Sequence, residues 1–120
     1  MRTSEKTLGW LLIAICGIAG ASSFSPKQLG GTCAVFGSSP IDPDPNEPQD
    51  THMYFFLEGE AAKELFLAMK EEPEYDSCVD DGSVSKLSRD IVCTESPQKQ
   101  YVCSFSVDIV KHQLSYGKVC

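Results

Sequence analysis

The chain has 120 residues, 42% of them apolar and 22% charged, with 10 basic side chains against 17 acidic ones. That length suits a single domain. A formal net charge of −7 argues against nucleic acid or an anionic membrane surface as a partner, because both would repel it.

Arg2 and Lys6 precede an apolar run from Leu8 to Ile18, and Ala19, Gly20 and Ala21 follow it. This is the charged start, apolar centre and A-x-A site of a secretory signal peptide over residues 1–21, with cleavage expected after Ala21. Leu8 to Ala21 is 14 residues, short of the roughly 17 to 25 that a membrane-spanning helix needs. No stable anchor is therefore expected unless Cys16 is lipidated. Ile13-Ala14-Ile15-Cys16 resembles a lipobox, but bulky Ile15 stands where that motif wants a small residue. Signal removal leaves 99 residues with 8 basic and 16 acidic side chains, a net charge of −8.

Residues 22–52 have the composition of a Pro/Gly/Ser-rich acidic tail or linker. Pro40, Pro43, Pro45 and Pro48 alternate with Asp42, Asp44, Glu47 and Asp50, and each proline restricts φ and biases its predecessor toward extended backbone. Only Cys33-Ala34-Val35-Phe36 reads as a short strand or plug there. A small disulfide-bonded α+β domain is expected over 53–120.

Tyr54 to Leu57 is an aromatic run suited to a buried strand or to the lead-in of a helix. Ala61, Ala62, Leu65, Phe66 and Met69 then recur at helical spacing, with Pro73 as a stop, which predicts an amphipathic helix of about three turns. Asp80-Asp81-Gly82 signals a turn. Lys86 to Cys93 and Tyr101 to Ile109 alternate as strands, and Ser96 to Gln100 connects them. With Pro97, Gln98 and Lys99 as the loop, Cys93 faces Cys103, Ile91 faces Phe105 and Leu87 faces Ile109, so one register gathers the apolar pairs on one face. Gln113 to Val119 is expected to add a third strand. The predicted fold class is α+β: one amphipathic helix packed on a small antiparallel β-meander, disulfide-stapled, behind a disordered N-terminal tail.

Beyond Cys16, the cysteines are Cys33, Cys78, Cys93, Cys103 and Cys120. In an exported chain disulfides are the default reading. The hairpin register selects Cys93–Cys103, and Cys78–Cys120 is the economical second pair; chain entropy assigns them roughly 3 and 4 kcal/mol. Cys33 is left unpaired, intermolecular, or exchanged into a bridge with Cys78 or Cys120.

No catalytic, cofactor or metal site is expected. Asp42, Asp44 and Asn46 have the opening spacing of a calcium loop, but Glu47 stands where the turn needs glycine and Met53 where a bidentate Glu belongs. His52 and His112 share no ligand spacing. Glu71, Glu72, Glu74 and Asp76 are either a solvated helix end or a carboxylate cluster able to raise one member's pKa. No G-x-S-x-G, phosphate-binding loop, dinucleotide fingerprint or glycosylation sequon occurs.

GEAAKELFLAM, Cys78, DIVC, YVCSF and the terminal GKVC together resemble small uncharacterised exported bacterial proteins in which a helix precedes a disulfide-linked meander. The resemblance spans roughly residues 54–120. It implies a periplasmic or secreted location and no particular activity. The expected function is an exported non-catalytic binding module of the cell envelope or extracellular space, an inhibitor or immunity-like partner of a basic protein. The alternatives are a structural or stress-related envelope protein, a small hydrolase using the Glu71 to Asp76 carboxylates, and a secreted effector.

Overall fold

The computed structural model describes residues 24–117. The signal-peptide segment, Cys16 and Cys120 lie outside that range. The described chain is α+β, with seven strands in one antiparallel sheet and one helix. The strands are β1 (Gly30–Phe36), β2 (His52–Glu58), β3 (Glu74–Tyr75), β4 (Val84–Ser88), β5 (Ile91–Glu95), β6 (Tyr101–Asp108) and β7 (Gln113–Ser115), and helix α1 (Gly59–Ala68) follows β2 directly. Their spatial order is β1-β2-β6-β5-β4-β3.

β6 organises this sheet. Along one side it pairs with β2 throughout, from Glu58↔Val102 to His52↔Asp108. Its other side is shared: β5 takes the first half, Val92↔Ser104 to Glu95↔Tyr101, and β7 the second, Ser106↔Ser115 to Asp108↔Gln113. Gly117 closes the junction by donating its N–H to the Asp90 carbonyl. A Cβ there would lie 2.3 Å from the Ser104 carbonyl oxygen and 2.4 Å from the Phe105 Cα, so only glycine passes.

The β5–β6 connection follows the expected register. Ser96 and Gln100 pair through Ser96 N–H to Gln100 O, and Lys99 N–H reaches Ser96 O across Pro97-Gln98. Proline suits the first central position of such a turn, and Lys99 takes the left-handed conformation, φ 61°, that a three-residue hairpin loop requires.

The segment before it differs from expectation. Lys86 to Cys93 is two strands rather than one, broken by Arg89-Asp90, with Arg89 at φ 53°. Leu87 consequently pairs with Val92 and not with Ile109, and it faces away from Ile91 and Cys93. Alternation alone continues through a two-residue turn, since such a turn carries no glycine or asparagine here to announce it.

The tail-like stretch also contributes structure. β1 pairs with β2 along all seven residues, from Gly30↔Glu58 to Phe36↔His52, which extends the short strand expected at Cys33–Phe36. Gly31 permits the approach: its φ is 144°, and a Cβ would fall 1.8 Å from the Phe56 carbonyl oxygen. The proline-rich residues 37–51 form the connecting loop, braced by Gln49 Nε2 to the Asp44 and Glu47 carbonyls at 2.8 and 2.9 Å.

α1 packs on one face of the sheet, the helix face. Ala62 and Phe66 are buried against Cys93, Cys103 and Tyr101, with Leu57, Leu65, Val84 and Ile91 around them. Fully burying a side chain of the size of Phe66 stabilises by about 1.5–3 kcal/mol. The staple lies beneath the helix: Cys93 and Cys103 are bonded, with Cα atoms 4.0 Å apart, and the Cys103 sulfur is 3.3 Å from the Ala62 carbonyl oxygen. No basic residue occupies the last helical turn. Lys86 of β4 supplies that charge instead, donating to the Phe66 and Met69 carbonyls at 2.9 and 3.0 Å while sitting 4.4 Å above the Phe66 ring centre. A cation at this end complements the helix dipole, and its position over the ring adds attraction.

Candidate binding cleft

The opposite, open face of the sheet carries a second layer of side chains, buried at Tyr54, Val92 and Ser106. Residues alternating with the helix-face set, namely Tyr54 and Phe56 on β2, Val102, Ser104 and Ser106 on β6, and Val92 and Thr94 on β5, point there together. Serine at alternate positions of β6 reads as a solvated face, yet Ser106 is 1% exposed and Asp108 7%. The chain beyond β7 covers Ser106 and Tyr54: Ser106 Oγ donates to the Tyr116 carbonyl, and the Tyr54 hydroxyl donates to that of Gly117. Tyr54 also meets Phe36 and Phe56 at ring separations of 5.6 and 4.5 Å.

Asp108 is bound on both oxygens. Oδ1 accepts the N–H groups of Val110 and Lys111 at 3.0 and 2.9 Å, and Oδ2 lies 3.4 Å from His52 Nε2. The Lys111 N–H foremost, then His52, holds its carboxyl below the usual carboxylate range. His52 is thus a packed residue, stacked on Phe36 and bonded to Thr51 Oγ1 at 2.8 Å, whereas His112 is an exposed turn residue at φ 57°.

The carboxylates after the helix do not act as one cluster. Glu71, Glu72 and Glu74 are exposed, and Asp76 is buried at 4%. Asp76 turns to the open face, where Oδ2 accepts the Ser85 hydroxyl at 2.6 Å and Oδ1 accepts the Cys78 N–H at 2.9 Å. It anchors the 76–83 loop, which is closed by Asp76 N–H to the Ser83 carbonyl. The Glu71 carboxyl is held low by its own backbone N–H and the Ser88 hydroxyl, the opposite of the raised value a glycosidic acid requires. Asp42, Asp44 and Asn46 do not converge either; Asp44 Oδ1 accepts the Asn46 N–H at 2.9 Å in a local turn. Among the described residues no group of three or more His, Cys, Asp or Glu side chains is arranged to hold a metal.

Between the 76–83 loop and the sheet lies a cleft of about 360 Å³. Its floor is Phe56, Val92 and Val102, and its wall carries Asp76, Asp81, Ser83 and Thr94. Two wider hollows, of about 630 and 440 Å³, lie beside Glu58, Glu60, Lys63 and Lys99 and beside Glu71, Glu72 and Glu74. Those are edged mainly by exposed charged side chains, whereas the floor of the cleft is Phe56, Val92 and Val102 from three neighbouring strands, nearer to the apolar lining a binding site needs. Asp81 stands at its rim with its carboxyl held low by the Ser83 hydroxyl and N–H, so it is charged at neutral pH. Asp76 is engaged by its serine and backbone partners and shapes the wall.

The cysteines sort clearly. Cys93 and Cys103 form the staple under the helix. Cys78 lines the cleft and is disulfide-bonded; its expected partner Cys120 lies outside the described residues. Cys33 is a free, exposed thiol on β1. Sequence reasoning missed Phe56, Val92, Val102, Asp81 and Thr94 as one surface. The signal was present in the parity of Val102 and Ser104, but the covering loop comes from the Asp80-Asp81-Gly82 turn, which says nothing about where it folds.

No family model matches the chain, and no curated protein or solved structure matches it.

Proposed function

We propose that this protein is an exported, non-catalytic binding module whose open-face cleft receives a basic, partly apolar surface element of another protein, in the manner of an inhibitor or immunity protein. The cleft carries the reading: an apolar floor of Phe56, Val92 and Val102 beside an ionised Asp81 suits the stem and charge of a lysine or arginine side chain. Around it the surface is broadly negative. Only two lysine–carboxylate pairs form between described residues, Lys27–Glu64 and Lys99–Glu95, which leaves most carboxylates without a cationic partner and favours fast, salt-sensitive encounter with a basic protein.

Export is supported by the charged start, apolar run and Ala19-Gly20-Ala21, and the Cys93–Cys103 bridge is compatible with an oxidising compartment. No helix among the described residues is long and apolar enough to cross a membrane. The alternative of an envelope protein spaced from a surface by residues 22–52 draws less support, because Gly30–Phe36 of that stretch belong to the sheet.

Affinity capture from periplasmic and secreted fractions tests the proposal. The expected result is a basic protein retained at low salt, released at high salt, and lost with Asp81→Asn or with Val102→Lys at a position 41% exposed. Capture that is indifferent to both substitutions, or no capture at low salt, removes the cleft as the binding site.

A further inference from the structure

β1 ends the sheet, and Gly30 to Val35 are all exposed. Edge strands ordinarily avoid pairing with another chain by carrying charges or prolines, by being very short, or by being covered. GGTCAVF has neither a charge nor a proline, and it runs seven residues. We propose that β1 is the pairing strand of a symmetric dimer, in which the β1 strands of two copies run antiparallel about Cys33 and join two sheets into one.

The choice of a second copy over a foreign strand rests on self-complementarity. A two-fold interface presents the same patch to itself, and Cys33 is the midpoint of Gly30–Phe36. Full-length antiparallel pairing therefore sets Gly31 opposite Val35 of the second copy and Thr32 opposite Ala34, small against larger with no like charges opposed. On the helix face, Val35 adjoins Met53 and Phe55, and Phe55 stacks on Phe105 at 5.2 Å, so pairing makes one apolar strip of two. Lys27, which precedes the strand, is already paired with Glu64 of its own chain, and the antiparallel arrangement sets the two acidic loops of Asp42, Asp44 and Glu47 at opposite ends, so no like charges face each other across the axis.

The strands hold this dimer, and Cys33 reports it. In the proposed register the two Cys33 thiols oppose each other across neighbouring antiparallel strands, as Cys93 and Cys103 do within the sheet. With oxidised glutathione, one Cys33 thiolate attacks the glutathione disulfide and releases one glutathione thiol. The second Cys33 thiolate then attacks the mixed disulfide, releasing the other glutathione and forming the intermolecular bond.

The test is sedimentation of the exported chain under conditions that reduce Cys33, followed by glutathione oxidation and non-reducing peptide mapping. The expected results are a dimer before oxidation, a Cys33–Cys33 peptide after it, and a dimer retained by Cys33→Ser. Thr32→Lys combined with Ala34→Lys, both at exposed positions, opposes like charges across the axis and should weaken the dimer more than about tenfold. Val35→Lys should do the same from the other face, with the Cys93–Cys103 bridge and circular dichroism unchanged. A monomer at high concentration, a dimer indifferent to the lysines, or an oxidised dimer bridged elsewhere would overturn the proposal.

Discussion

Asp108 shows how far one carboxylate can serve the fold. It terminates β6, caps the turn into β7 through the Val110 and Lys111 N–H groups, and meets His52 at the start of β2. Its folded pKa is depressed, so the stability it contributes is present above its unfolded value of about 3.9 and is lost as pH falls through the folded value. Urea unfolding followed from neutral pH down into the acid range should show this loss, and Asp108→Asn should be less stable at neutral pH with a flatter acid limb. Nothing in the sequence marks Asp108 beyond a polar parity on β6. Cys93 opposite Cys103 was legible, by contrast, because a turn built on Pro97 and a matching apolar register point to the same pair.

At the scale of elements, α1 was readable from its stripe of Ala62, Leu65, Phe66 and Met69, since burial of one helical face needs only periodicity. Its C-terminal anchor was not readable, because Lys86 is 20 residues from Phe66 and on a strand where lysine suggests solvent. Phe66 joins the two: its ring packs against Tyr101 at 5.4 Å and under Lys86. Phe66→Ala should cost about 3–5 kcal/mol, measured by chemical denaturation, a large share of the 5–15 kcal/mol that a domain of this kind has. The β4–β5 break was not readable for a related reason, since Arg89-Asp90 lacks the glycine or asparagine that marks a two-residue hairpin turn, and Arg89 takes φ 53° without it.

For the whole molecule, the boundary at Met53 suggested by composition passes through the middle of a paired unit. β1 bonds to β2 along its full length, although proline-rich residues separate them. Composition reports what a segment prefers when alone, and β1 is held by a neighbour. A chain begun at Met53 leaves β2 as an exposed edge carrying Tyr54, Phe55 and Phe56, and it should be less stable and more prone to aggregate than one begun at Phe24. Thermal unfolding and light scattering of the two compare them directly.

The central place of β6 also has a consequence in time. β2 emerges early in synthesis, but its inner partner is β6, and Tyr54 pairs with Ser106 across 52 residues of chain. Contacts this distant form late and slowly, because loop closure precedes any gain from pairing. Until Tyr101 to Asp108 are available, the nascent chain can hold the β1–β2 hairpin, the beginnings of α1 and the separate β3–β4–β5 ladder, with one side of β2 waiting. A chain halted before residue 101 would display Tyr54-Phe55-Phe56 to any chaperone that recognises aromatic runs, and completing the next eight residues would withdraw them.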